Sequence, residues 1–397
     1  MEDSNEVDIN ELTFEMTEKL KFYLSKLVQN GGSDLHIKSG SNIRGRINGQ
    51  IVSLSKEILS HKESMTLAKE LLRTRFPELV EYKNLDFTYK LNDDFRFRVN
   101  IFFQVDGISA VFRAIPSSLP TIESLNLPAQ LHSFCSQPRG LILVTGPTGS
   151  GKTTTLAAMI NSINKKFAKH IITIEDPVEF VYKDQKSIIN QRGIGQDAVS
   201  FADSLRAALR EDPDVILVGE MRDLETIETA MHAAETGHLV LSTLHTVDAK
   251  ETIGRILGMF PGNDQNRIKM ALSSTLQGIV SQRLIRTIDG KRRASIEILV
   301  KNARIENLIL EGRDSEITDA IKEGKDVYKS QTFDQSLLEL YATGVISKQE
   351  ALANATSRND LMMDLDYYDA QKSMERKKLD NSFIEEKIDE DIIALKK

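Results

Sequence analysis

Between residues 14 and 28 apolar side chains recur three and four positions apart (Leu20, Leu24, Leu27, Val28), which predicts an amphipathic helix stopped by Gly31 and Gly32. The period then shortens to two. Alternating segments at 34–37, 43–47 and 50–54 read as strands, with Asn48-Gly49 as a hairpin turn between the last two. A helix is expected over 62–73, followed by strands at 85–89, 95–103 and 107–113. Helices beside antiparallel strands make a small α+β domain, residues 14–115, behind a polar, disordered start at 1–13. Pro116, Pro120 and Pro128 punctuate a linker at 116–130.

From residue 139 the pattern changes to continuous apolar runs at 141–145, 171–174, 215–218 and 239–242. Helical spacing fills 153–166, 201–211, 223–236 and 249–259. Strands apolar on both faces, alternating with helices, predict an α/β domain with a mainly parallel sheet covered on its faces. Beyond Asp264 the chain reads as mostly helical to the end of this domain, placed at 131–365. The charged stretch 366–397 reads as a solvated helix or frayed tail.

Composition then removes whole classes of function. The net charge is −7, and no basic stretch is interleaved with aromatics, which argues against a nucleic-acid binder. Cys135 is the single cysteine, so neither an intramolecular disulfide nor a four-thiolate zinc site can form, and a reducing cytosol is the expected home. No apolar run approaches the roughly 20 residues that span a bilayer. The acidic first ten residues resemble neither a signal nor a transit peptide.

Chemistry concentrates at the ends of the apolar runs. GPTGSGKT at 146–153 follows one such run and opens a helix, the setting of a phosphate-binding loop. Its glycines let successive N–H groups turn inward on phosphate oxygens at a helix N-terminus. Lys152 is expected on the β- and γ-phosphates and the Thr153 hydroxyl on Mg²⁺. The run 215–218 ends in Gly219-Glu220, which makes Glu220 the first choice for the group that orients or deprotonates the attacking water. Two further polar clusters flank runs of the same sheet: Glu175-Asp176-Pro177-Val178-Glu179, and His238 with His245 on either side of 239–242.

Taken together, TGPTGSGKTTT, TIEDPVEF, SLRAALREDPDVILVGEMRD and TAMHAAETGHLVLSTLHT resemble the type II/IV secretion ATPase superfamily, and within it the pilus retraction motors of the PilT/PilU group. These blocks run from about 139 to 261. Weaker similarity extends through SDLHIKSG (33–40), FRFRVNIFFQVDGISAVFRAIP (95–116) and QTFDQSLLELYATGVIS (331–347). The resemblance implies a PAS-like N-terminal domain, a RecA-like P-loop ATPase domain, ATP and Mg²⁺ as cofactors, and a homohexameric ring. Carried over by position, Gly146, Pro147, Thr148, Gly149, Ser150, Gly151, Lys152 and Thr153 form the Walker A loop, with Thr154 also at the nucleotide. Glu175, Asp176 and Glu179 belong to the family's Asp box, Glu179 nearest the chemistry. Glu220 is the Walker B glutamate and shares the metal with Thr153; His238 and His245 belong to the His box. Arg96, Arg98 and Arg113 match arginines that face the nucleotide cleft or a neighbouring subunit.

The implied setting is cytoplasmic, peripheral to the inner membrane at the pilus base, with a pilus platform protein and a paralogous retraction ATPase as partners. Extension ATPases of the superfamily carry a tetracysteine zinc motif that one cysteine cannot supply, which favours the retraction branch without zinc. The segment NARIENLIL at 302–310 departs from the AIRNLIRE-like pattern of retraction motors. With TFDQ at 332–335 it leans toward the PilU-like accessory paralogue. Other classes to separate are a catalytically weak adaptor ring, which an ATPase assay distinguishes, and a nucleic-acid translocase, which DNA-stimulated hydrolysis would reveal.

Overall fold

The computed structural model describes residues 12–92, 95–115 and 118–374. The start at 1–13 lies outside them as far as residue 11, and the tail lies outside them beyond residue 374; residues 358–374 are helical. The chain divides into two compact units, one of residues 1–125 with 156–241 and the other of 126–155 with 242–397.

Helix α1 (Glu15–Gln29) buries Leu20, Tyr23, Leu24 and Leu27, the stripe expected from the spacing, and Gly31 turns the chain away with φ of 65°. Six strands follow it: β1 (Gly32–Lys38), β2 (Asn42–Ile47), β3 (Gln50–Ile58), β4 (Asn84–Lys90), β5 (Arg96–Gln104) and β6 (Gly107–Ile115). They form an antiparallel sheet in the order β3-β2-β1-β6-β5-β4. Helix α2 (His61–Leu72) starts at a capping box between Ser60 and Glu63, and α3 (Phe76–Tyr82) leads into β4. One core joins α1 and α2 to the sheet, centred on Leu24, Leu27, Phe97 and Phe112.

The second sheet holds β7 (Gly140–Thr145), β8 (His170–Glu175), β9 (Ile188–Gly193), β10 (Val215–Val218), β11 (Leu239–Leu244), β12 (Leu276–Arg286) and β13 (Arg292–Val300). Its order is β13-β12-β7-β11-β10-β8-β9, with β12/β7, β10/β8 and β8/β9 parallel and β12/β13 antiparallel. Every residue of β7, β10 and β11 is buried, which is why these strands appear in the sequence as unbroken apolar runs. The intervening helices are α4 (Gln130–Cys135), α5 (Lys152–Lys166), α6 (Phe201–Ala208), α7 (Leu224–Glu235), α8 (Ala249–Gly258), α9 (Gln265–Thr275) and α10 (Ala303–Glu311). Ser200, Asp223 and Asp248 cap α6, α7 and α8 through their side-chain oxygens. Among the described residues no helix is long and apolar enough to cross a membrane.

One element was not expected. The stretch from Asp264 to Leu365 is mostly helical, but β12 and β13 form a long hairpin within it. Its signals were the β-branched pairs Ile279-Val280 and Ile296-Glu297-Ile298 and the turn at Asp289-Gly290, where Gly290 has φ of 79°. Gly278 belongs to this strand by necessity, since a Cβ there would lie 2.2 Å from the Phe134 ring.

Candidate active site

Strand β7 delivers the chain to Gly146 and α5 leaves at Lys152, so the loop between them ends on a helix N-terminus with its orphan N–H groups and positive dipole end. Gly146 has φ of 143°, and a Cβ there would stand 2.4 Å from the Gln282 carbonyl oxygen and 2.6 Å from the Ser150 hydroxyl. Only glycine fits this entry to the loop. Lys152 lies along the loop with 8 % exposure, and its Nζ donates to the carbonyls of Gly146 (2.8 Å) and Pro147 (3.2 Å). The reason is that the stem packs along the loop while the ammonium, which must be solvated or paired, finds two backbone acceptors. Thr153 and Thr154 occupy the first turn of α5 and are half-buried.

A residue that motif reading missed supports the loop from beneath. Gln282 on β12 is buried; its Nε2 donates to the Ser150 carbonyl at 2.6 Å, and its Oε1 accepts from the Thr155 hydroxyl at 2.8 Å. One carboxamide therefore ties the loop to the first turn of α5. His245 follows β11 directly and is exposed, with Nδ1 3.5 Å from the Thr148 hydroxyl at the tip of the loop. His238 is engaged differently. Its backbone N–H donates to Ala233 O at 3.1 Å and its ring Nδ1 lies 2.9 Å from the same oxygen, closing α7 beyond Gly237, whose φ is 116°.

The acidic clusters meet in the other unit. Gly219 donates its N–H to Ile174 O at 2.7 Å, which joins the end of β10 to the end of β8. A Cβ on Gly219 would lie 3.1 Å from that carbonyl, so the two strand ends approach as closely as backbones allow. Glu220 follows, its side chain 18 % exposed, with Oε1 2.8 Å from Arg222 Nε. That hydrogen bond, the Glu220 charge and the charge of Asp176 hold Arg222 more firmly protonated than a free arginine. Glu175 is buried at the end of β8, where burial pushes its carboxyl up to about 7. Hydrogen bonds from the Thr173 hydroxyl (2.6 Å), Gln191 Nε2 (3.3 Å) and the Glu179 backbone N–H oppose that rise. Glu179 itself is exposed, beyond the cis Asp176-Pro177 bond. The segment 175–179 therefore contains a buried acid that shapes the turn and two exposed acids, Asp176 and Glu179, that the turn presents.

The three N-terminal arginines share one face of the antiparallel sheet. Arg98 stands directly opposite Arg113 across β5 and β6, and Arg96 is two residues along the same strand. Arg113 Nε donates to Asp34 Oδ1 at 2.8 Å, and Asp34 stands opposite Arg113 on β1. Burial works against the Asp34 charge, yet hydrogen bonds from Arg113 and Ser33 hold its carboxyl below the usual range. Even so, the Arg113 side chain remains 70 % exposed.

The family model described as Type II/IV secretion system protein matches residues 13–385. The chain is 43% identical over 342 residues to the Type IV pilus retractation ATPase PilT of Pseudomonas aeruginosa, spanning 86% of this chain and 98% of that one. It is 39% identical over 342 residues to the Type IV pilus ATPase PilU of the same organism, spanning 86% and 89% of the two chains. A crystal structure of the pilus retraction motor PilT with bound ADP aligns with a TM-score of 0.80 at 43% identity, over 87% of this chain and 99% of that one. A loop built for phosphate at the head of α5, in a chain so similar along most of its length, places this protein in the type II/IV secretion system protein family as one of its P-loop ATPases.

Proposed function

We propose that this ATPase is a homohexameric, Mg²⁺-dependent motor that withdraws type IV pili from the cytoplasmic face of the inner membrane, residues 14–115 and 131–365 acting as its two domains. The phosphate loop carries the reading: Gly146, Lys152 and the N-terminus of α5 are arranged for polyphosphate, in a chain similar over most of its length to a pilus retraction ATPase. Lys152 exchanges its two loop carbonyls for the β- and γ-phosphate oxygens. Thr153 and Glu220 are suited to hold Mg²⁺, which when bound neutralises phosphate charge. Glu220 accepts the proton of the attacking water, its Oε1 held by Arg222 Nε at 2.8 Å. Glu179 is an exposed acid of the Asp box, as is Asp176, and its backbone N–H is held by Glu175.

The arginine face supports a ring. Like charges set directly opposite on a sheet destabilise it unless an anion answers them, and in the row Arg98–Arg113–Asp34–Arg46 the single carboxylate of Asp34 is shared between Arg113 (2.8 Å) and Arg46 (3.8 Å). A nucleotide held by a neighbouring copy is such an anion. Specific activity should accordingly rise with protein concentration until assembly saturates. Arg113→Ala should lower turnover by about tenfold or more while ATP affinity changes less, as removal of a transition-state clamp requires. Mass measurement of an active monomer, with turnover independent of concentration, would remove both the ring and the arginine in trans.

The departure at 302–310 keeps the accessory, PilU-like role as a second reading. That segment forms an ordinary helix, α10, capped by Asn302 through the Ile305 N–H at 3.0 Å. Identity is higher to the PilT relative than to the PilU one, which favours the main motor. Cells lacking only this chain should therefore fail to retract pili. Cells carrying His245→Ala should make a folded ATPase that hydrolyses ATP without retraction, because His245 touches the loop tip and is exposed. Retraction at wild-type speed in the deletion would assign the accessory role; wild-type speed in the variant would end the coupling role of His245.

A further inference from the structure

Three neighbouring strands carry a row of buried polar side chains that the proposed chemistry does not use. Thr145 on β7 stands opposite Ser281 on β12, and Ser281 stands opposite Glu297 on β13. Thr145 and Ser281 are fully buried and Glu297 nearly so. The Thr145 hydroxyl donates to Ser281 Oγ at 3.0 Å, and Ser281 in turn hydrogen-bonds the Glu297 carboxylate. Glu297 Oε1 then accepts the backbone N–H of Ala249 at 2.8 Å, the first helical residue of α8.

Both ends of this chain are functional positions. Thr145 immediately precedes Gly146, the first residue of the phosphate loop, and Ala249 follows the turn that carries His245. That turn is braced on α8: the Thr246 and Thr252 hydroxyls lie 2.6 Å apart, the Val247 N–H donates to Glu251 Oε2 at 2.9 Å, and Asp248 caps the Glu251 N–H at 2.7 Å. On the outer side, His245 meets Thr148. The phosphate loop and the histidine turn are thus linked twice, once at the surface and once through the core.

We propose that Glu297 is a positioning residue of the ATPase, holding the His245 turn in register with the root of the phosphate loop through Ser281 and the Ala249 N–H. The inference rests on the assignment of the phosphate loop to hydrolysis; kcat reports the root of that loop at Thr145 and Gly146, not the His245 side chain, whose removal leaves hydrolysis in place. A buried carboxylate is suited to this task because it can accept several hydrogen bonds at once, here from a hydroxyl and from a helix N-terminal N–H. Such bonds are stiff in a dry interior. Burial and the nearby Asp248 charge raise the Glu297 carboxyl to about 7, while the Ala249 N–H, Arg283 and the Ser281 hydroxyl act in the opposite direction. Above that pH both bonds are accepted by a carboxylate; below it the acid carries a proton where two donors converge, and the link slackens.

Glu297→Gln mimics the neutral form without changing volume. Its kcat at pH 8 should fall about tenfold, toward that of the wild type at pH 6, with the KM for ATP within about threefold. The dependence of kcat on pH across 7 should flatten in the same variant. Ser281→Ala, a smaller change that does not depend on how the glutamine packs, should lower kcat similarly. The double variant should be no worse than the poorer single one, since both cut the same link. Wild-type kcat and pH profile in folded Glu297→Gln, or in Ser281→Ala should the first not fold, would overturn the inference. Lys152→Ala measured alongside separates the two levels: if it keeps turnover, the phosphate-loop assignment fails; if it is inactive while the network variants are normal, only the role of Glu297 fails.

Discussion

Replacing Lys152 with alanine should reduce kcat/KM for MgATP hydrolysis by at least about 10²–10³-fold, the scale at which loss of one preorganised charge donor is felt in a transition state. Lys152 is the only basic side chain in the loop 146–153. Nothing else in that loop can follow charge as it moves onto the leaving phosphate, because the backbone N–H groups are fixed dipoles. The fold should survive. In the present conformation the ammonium serves two carbonyls of its own loop, those of Gly146 and Pro147, and Pro147 is exposed, so water can replace the lost donor there. The stem buries some aliphatic surface, and its loss should cost about 1 kcal/mol, a typical single-site value. Nucleotide binding by calorimetry, turnover by phosphate release and a thermal melt together check this. Unimpaired turnover in a folded variant would sink the phosphate-loop assignment.

The parts of the molecule that were legible beforehand share a physical cause. Strands β7, β10 and β11 are buried on both faces, so their composition is almost purely apolar, and each ends abruptly in the glycine or polar residue that marks the site. Helices α2, α7 and α8 begin at Ser60, Asp223 and Asp248, whose side chains cap the chain where the apolar stripe starts. The hairpin β12–β13 escaped because its central strand carries Ser281, Gln282 and Arg283 in succession. Three polar residues inside an apolar run imitate the solvent face of a helix. They are polar for reasons that exist only in three dimensions: Ser281 meets Thr145 and Gln282 meets the loop.

The same limit applies to the site. Motif spacing locates Lys152, Glu220 and His245, since each sits at the end of a run. It cannot rank Glu175 against Glu179, because burial decides between them, and it is Glu175 that burial pushes up to about 7. Nor can it find Arg222 as the partner of Glu220, or Asp34 as the partner of Arg113, which are 79 residues apart in the chain. Such pairs are set by sheet register and turn geometry, which no local pattern encodes.

Glu220→Gln should separate binding from chemistry. The glutamine keeps the shape of the side chain, and its amide oxygen still accepts from Arg222 Nε, so the turn after β10 has no reason to move. Charge is what changes. The pair Glu220–Arg222 is neutral overall in the wild type and carries a net positive charge in the variant, which favours an anionic nucleotide. ATP affinity should therefore be equal to or tighter than that of the wild type. Hydrolysis should fall by about 10²–10⁴-fold, the contribution of a positioned general base. At about 1.4 kcal/mol for each factor of ten, the barrier rises by roughly 3–5 kcal/mol with no matching loss in binding. The variant should thus accumulate as an ATP-bound ring, visible as retained nucleotide after gel filtration and as slow single-turnover phosphate release. The opposite pattern, lost binding with residual turnover little changed per bound nucleotide, would remove the role of base from Glu220, leaving it a structural residue or a metal ligand only, and would make Glu179 the acid to test next.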